Sequence, residues 1–226
     1  MSTKPKFPRG LYGVTPEWDD TDRLIAAIEA AAKGGMAALQ WRRKTAALDQ
    51  RLPQALALAE RCKALGVLFI VNDDYRFALA TNADGVHMGR EDGSLAEARK
   101  ALGPHKIIGS SCYNDLDLAR RALQANVDYI AFGAMYPSSV KPDAVRATLD
   151  HIRLARELIK NHPSPTPATI VAIGGLTADN AGPVVDAGAD NIALISGLFG
   201  AADIQATAAR CQALFTRSPQ RVSSQC

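Results

Sequence analysis

The chain has no long apolar run. No stretch approaches the ~18 residues that a bilayer-spanning helix needs, so a membrane protein is not expected. The N-terminus, MSTKPKFPRG, is basic but lacks an apolar core, which reads against a secretory signal. Cysteine is scarce: Cys62, Cys112, Cys211 and Cys226 show neither paired nor metal-type spacing. They read as reduced thiols of a cytoplasmic protein. Neither sign of charge dominates. The 26 basic and 23 acidic residues leave a net charge of +3 with no basic block, which argues against nucleic-acid or membrane partners and leaves room for a small anionic substrate. No G-x-G-x-x-G follows the first apolar run, so a dinucleotide-binding sheet is disfavoured.

What is present is a repeating unit, seen most clearly in Leu68–Asp74 (LFIVNDD). Five apolar residues after Gly66 read as a buried strand, and Asp73 is expected where that strand surfaces at its C-terminal end. The rest of the chain reads as further copies. Strands are expected at Leu11–Thr15, Ala37–Arg42, Leu68–Asp73, Gly85–Met88, Lys106–Ser111, Tyr129–Ala134, Thr169–Gly174 and Asn191–Ile195. Helices fall between them, among them Leu52–Leu65 with Pro53 in its first turn, Asp179–Ala187, and a last one near Asp203–Phe215. The joints Ala83–Val86, Val127–Ile130 and Ala189–Ile192 share an apolar-Asp-x-apolar pattern. A turn reused at this spacing supports an α/β fold, a single (β/α)8 TIM barrel over 1–226 with frayed ends at about 1–10 and 218–226. An open doubly wound sheet is the alternative.

Active sites of such barrels collect side chains that follow the strands. The candidates are Gln40, Arg42, Arg43 and Lys44 after the second strand, and Asn72 and Asp73 after the third. His87, Glu91 and Asp92 follow the fourth, and Ser110 and Ser111 the fifth. Ser138, Ser139 and Lys141 follow the sixth, Gly174 and Gly175 the seventh, and Ser196 and Gly197 the eighth. The two glycine-bearing turns on the last strands suit a phosphate held by backbone N–H groups; each alone also reads as a tight turn. Asp73 and Asp92 can share one Mg²⁺, which takes few protein carboxylates and keeps other oxygens; both also read as loop caps. Arg42, Lys44 and Lys141 can neutralise a diphosphate, or be solvated side chains. His87 reads as a hydrogen-bonded core histidine rather than a base. No histidine is placed to activate a cysteine.

In order, Q-W-R-R-K, I-V-N-D, G-V-H-M-G-x-E-D, I-G-x-S, F-G-A-M-Y-P-S-S-V-K, A-I-G-G-L-T-x-D-N and A-L-I-S resemble the thiamine phosphate synthase family from about Leu11 to Leu198. The resemblance implies coupling of 4-amino-5-hydroxymethyl-2-methylpyrimidine diphosphate to 4-methyl-5-(2-hydroxyethyl)thiazole phosphate, giving thiamine monophosphate and diphosphate. It implies that Gln40, Arg42, Arg43, Lys44, Asn72, Ser111 and Lys141 contact the pyrimidine diphosphate. It implies Asp73 and Asp92 as Mg²⁺ ligands, and Ser138, Ser139, Val140, Gly175, Ile195 and Ser196 as the thiazole phosphate site. Arg42, Lys141 and Ser111 would then serve catalysis. Loss of diphosphate precedes attack by the thiazole nitrogen, so no protein nucleophile is needed.

Three positions depart from the family pattern. Val140 replaces a usual threonine, Tyr113 a frequent histidine, and Ser110 a usual apolar residue. The rival readings are a thiazole tautomerase of the same fold, whose proposed histidine falls near Tyr113, a non-catalytic phosphate sensor, and a phosphosugar isomerase. Retention of Asp73, Asp92 and Lys141 favours the synthase. The sequence specifies no oligomeric state.

Overall fold

The computed structural model describes residues 4–137 and 145–216. Eight parallel strands close into a barrel in sequence order. They are β1 Gly10–Val14, β2 Ala38–Trp41, β3 Leu68–Asn72, β4 Gly85–Met88, β5 Ile107–Tyr113, β6 Tyr129–Phe132, β7 Thr169–Ile173 and β8 Asn191–Leu194. The helices are α1 Thr21–Lys33, α2 Leu48–Leu65, α3 Tyr75–Ala80, α4 Leu95–Leu102, α5 Leu116–Gln124, α6 Leu149–Lys160, α7 Gly182–Asp186, α8 Ser196–Phe199 and α9 Ile204–Ala213. Side-chain carboxylates or hydroxyls of Asp20, Asp74, Ser94, Asp115 and Asp203 accept backbone N–H groups at the starts of five helices, each satisfying a donor the helix itself leaves open.

Strand alternation divides the core in two. One set, including Leu39, Trp41, Phe69 and Val71, packs outward on the helices. The other, including Tyr12, Ala38, Ile70, Tyr129 and Val171, fills the barrel. The repeated aspartates sit where the pattern suggested, at the entry end of the strands. Asp84, Asp128 and Asp190 each accept the backbone N–H of the preceding strand's early residue, Phe69, Ile108 and Ile170, all at 2.8 Å.

Four expectations need correction. Phe7 does not fray: it is fully buried, stacked on Tyr129 with ring centroids 4.4 Å apart, and closes the barrel floor. Helix α2 starts a turn earlier than Leu52 and takes Pro53 inside; near the N-terminal end the lost N–H removes only one helical bond. Helix α7 is shorter than Asp179–Ala187 because Asn180 is held by the preceding turn, accepting from Thr177 N and donating to Gly175 O. Strand β5 continues to Tyr113 through a bulge. The expected fraying of 218–226 concerns positions outside the described residues.

Candidate active site

The exit ends of β2, β3, β4 and β5 gather most of the candidate side chains. On β2 the alternation decides which. Ala38 and Gln40 face the barrel interior, and Gln40 donates from Nε2 to the Tyr12 hydroxyl at 2.9 Å. Leu39 and Trp41 face outward, and Arg43 follows them. Arg43 is not with the other candidates. Its guanidinium is buried against Trp18 O and Asp19, and it shares Gln54 Oε1 with Trp41 Nε1. The protein itself uses up its charge.

Arg42 continues the inward phase. Its backbone N–H is accepted by Thr15 Oγ1 at 2.9 Å, which ties β2 to the end of β1. Arg42 Nη1 lies 3.1 Å from Glu17 Oε1. The same carboxylate accepts the Lys44 N–H and the Thr45 hydroxyl. Glu17 therefore shapes the cationic loop, a role that no motif around Glu17 announced.

Lys44 reaches across to β3, with Nζ 2.9 Å from Asp73 Oδ2. Asp73 adopts a left-handed backbone with φ of 70°, and its N–H is accepted by His87 O at 2.7 Å. Asp74, beside it, is a helix cap and plays no part in this cluster. Asp92 turns back so that Oδ2 accepts Gly89 N–H at 2.6 Å. Burial pushes the Asp92 carboxyl above the usual carboxylate range, and Asp73 alongside pushes it further in the same direction. The two acids from adjacent strands therefore meet, as the sequence reading required. Such a pair, offset by Lys44, fits a small hard cation that also takes substrate oxygens. Among the described residues no group of three or more metal-ligating side chains forms.

Inside the barrel, His87 is hydrogen-bonded at both ring nitrogens: Nδ1 to the Tyr129 hydroxyl at 3.0 Å and Nε2 to Ser111 Oγ at 2.8 Å. Its ring stacks on Tyr129. This agrees with the core-histidine reading. Tyr12 and Tyr129 escaped the sequence reading; the only available signal was a phenol inside an apolar strand, whose hydroxyl must find a partner when buried. Ser110 faces the helices and is buried, and Glu91 is exposed. Asn72 pairs with His87 in register between β3 and β4.

On the other side, Gly174 and Gly175 take φ values of 98° and 63°. A Cβ on Gly175 would lie 2.4 Å from Pro137 O, so a side chain would displace the segment that precedes residue 138. Ile195 leads into α8, a short helix missing from the sequence reading, so Ser196 and Gly197 provide its first N–H groups. Ser138, Ser139, Val140 and Lys141 lie outside the described residues. Among the described residues, no helix is long and apolar enough to cross a membrane.

The family model and the sequence relatives agree on one family. The family described as thiamine monophosphate synthase matches residues 11–198. The thiamine-phosphate synthase of Bordetella avium is 56% identical over 210 residues, covering 93% of this chain and 96% of its own. That of Thiobacillus denitrificans is 49% identical over 214 residues, 95% and 98% respectively. The solved thiamine phosphate pyrophosphorylase of Pyrococcus furiosus superposes with a TM-score of 0.77 at 30% identity, covering 94% of this chain and 96% of its own.

Proposed function

The chain belongs to the thiamine monophosphate synthase family, and from that premise we propose how its residues divide the work of a transferase that joins a pyrimidine diphosphate to a thiazole phosphate. One observation carries the reading: Lys44, Asp73 and Asp92 come from the three loops after β2, β3 and β4 and meet at one mouth of the barrel, with Arg42 held beside Lys44 through Glu17. A cluster of both signs suits a polyanion bound together with a divalent cation.

Arg42, Lys44 and Lys141 hold the diphosphate and offset its charge as the C–O bond to the pyrimidine methylene breaks. The electron pair leaves with diphosphate. Gln40, Asn72 and Ser111 fix the pyrimidine, whose amino group stabilises the methylene cation. Gly175, Ile195 and Ser196, with Ser138, Ser139 and Val140, hold the thiazole phosphate so that its ring nitrogen faces that carbon. The nitrogen lone pair then forms the C–N bond. Asp73 and Asp92 would hold Mg²⁺, which supplies positive charge to the departing diphosphate when bound. Positioning and fixed charge carry the acceleration. A protein nucleophile is unnecessary, in keeping with thiols at Cys62, Cys112 and Cys211 that burial keeps protonated.

The test is diphosphate release with both substrates and Mg²⁺ present. Release that needs both substrates and stops on chelation is the expected result. Thiazole isomerisation without diphosphate release, or release undiminished by a chelator, would overturn the reading.

A further inference from the structure

Five polar side chains from five strands join into one chain of hydrogen bonds across the barrel. Gln40 Nε2 donates to the Tyr12 hydroxyl at 2.9 Å; the hydroxyls of Tyr12 and Tyr129 are 2.9 Å apart. The Tyr129 hydroxyl lies 3.0 Å from His87 Nδ1, and His87 Nε2 lies 2.8 Å from Ser111 Oγ. Both phenols are fully buried, and burial pushes both well above the ordinary phenol range, so they stay protonated.

The direction of this chain follows from counting donors. An amide –NH₂ can only donate, so Tyr12 oxygen accepts from Gln40, and the arrangement that gives every buried hydroxyl hydrogen an acceptor sends the Tyr12 hydrogen to Tyr129. The Tyr129 hydrogen then goes to His87 Nδ1, which must be the unprotonated nitrogen. His87 therefore carries its hydrogen on Nε2 and donates it to Ser111 Oγ. Ser111 Oγ has no other hydrogen-bond partner among the described residues, so its own hydrogen remains to be given away. At the other end, Gln40 Oε1 remains to accept.

We propose that Tyr12, Tyr129 and His87 are positioning residues that set the polarity of the pyrimidine site, presenting Ser111 as a donor and Gln40 as an acceptor. A ligand with one donor and one acceptor, as an aminopyrimidine has in its amino group and ring nitrogen, is matched; one with the two exchanged meets donor against donor. This rests on reading Gln40 and Ser111 as substrate contacts. Packing keeps the relay in place: a Cβ on Gly109 would fall 1.9 Å from the Tyr129 ring, and Phe7 stacks beneath that ring.

The experiment has two arms. NMR of the imidazole nitrogens in the ligand-free protein should show His87 neutral with hydrogen on Nε2. Tyr129→Phe keeps both ring stacks and should abolish that preference. The reverse tautomer, or a tautomer unchanged in Tyr129→Phe, overturns the relay whatever the protein's substrate proves to be. In steady-state kinetics, Tyr129→Phe should lower kcat/KM about tenfold or more, and should add nothing in a Ser111→Ala background. Losses that multiply in the double variant would mean that Tyr129 acts only on the fold and would also overturn the proposal. If Tyr129→Phe does not fold, the wild-type tautomer alone decides the relay: hydrogen on Nε2 supports it and hydrogen on Nδ1 overturns it. Wild-type protein with the expected tautomer but no diphosphate release would sink the functional reading and leave the relay standing.

Discussion

Gln212 Oε1 accepts the backbone N–H of Leu11 at 3.2 Å. Ala37 stands at this joint in the place that Asp84, Asp128 and Asp190 hold at the other three, with the same backbone bonds on either side. The barrel thus repeats in quarters, and helix α9 lends the acceptor that the first quarter lacks. Gln212→Leu should leave that N–H without a partner and cost about 1–3 kcal/mol, read as a lower urea midpoint. Turnover should persist, because the joint lies at the end of the barrel opposite the site. Ala37→Asp added to Gln212→Leu should recover part of the loss. An unchanged midpoint in Gln212→Leu would mean the bond contributes nothing.

Arg42 and Arg43 are neighbours in sequence with opposite expected phenotypes. Arg43→Met removes a buried guanidinium that holds Trp18 O, Asp19 and Gln54 together. Its loss removes the charge-assisted bonds that tie Trp18 and Asp19 to Gln54 and should cost about 1–3 kcal/mol, with kcat/KM changed less than threefold in the folded protein. Arg42→Met leaves the thermal midpoint nearly unchanged, since its ion pair with Glu17 is partly exposed. Its turnover should fall at least a hundredfold. Equal kinetic losses in the two variants would return Arg43 to the substrate site.

That pair also shows how far the sequence could be read. The strand order, the closed barrel and the meeting of Asp73 with Asp92 were legible because each rests on a local pattern that repeats. A motif such as Q-W-R-R-K does not show that the period of two turns its second arginine onto Trp18 O and Gln54. Glu17 was hidden for another reason: its partners are 25 to 28 residues away. The relay through Tyr12 and Tyr129 was hidden because register, absent from any one strand, brings the phenols together.

The three described cysteines give a prediction about reactivity. Burial pushes the thiols of Cys62 and Cys112 up to about 12 and that of Cys211 up to about 11. The reactive species is the thiolate, and these groups hold almost none of it at neutral pH. A Cys226→Ser protein should therefore show no rapid reaction with a disulfide reagent until it unfolds, when three thiols per chain should appear. Rapid labelling of the native variant would contradict the burial of one of them.

Asp73 and Asp92 should separate stability from activity. Asp73→Asn keeps a residue type that tolerates the left-handed backbone at this position, whereas Asp73→Ala would add strain. The substitution loses the pair with Lys44 but also relieves the acid beside Asp92. These effects oppose each other, so unfolding in the presence of chelator should shift by no more than about 1 kcal/mol. In Asp92→Asn the amide oxygen can still accept from Gly89, and a charge that burial disfavours is gone, so this variant should be at least as stable as the parent without metal. Both should nevertheless lose turnover by orders of magnitude, since the diphosphate would depart without the cation's charge. Added Mg²⁺ should raise the melting temperature of the parent and not of either variant. Retained turnover, or an equal Mg²⁺-dependent rise in all three proteins, would place the metal elsewhere.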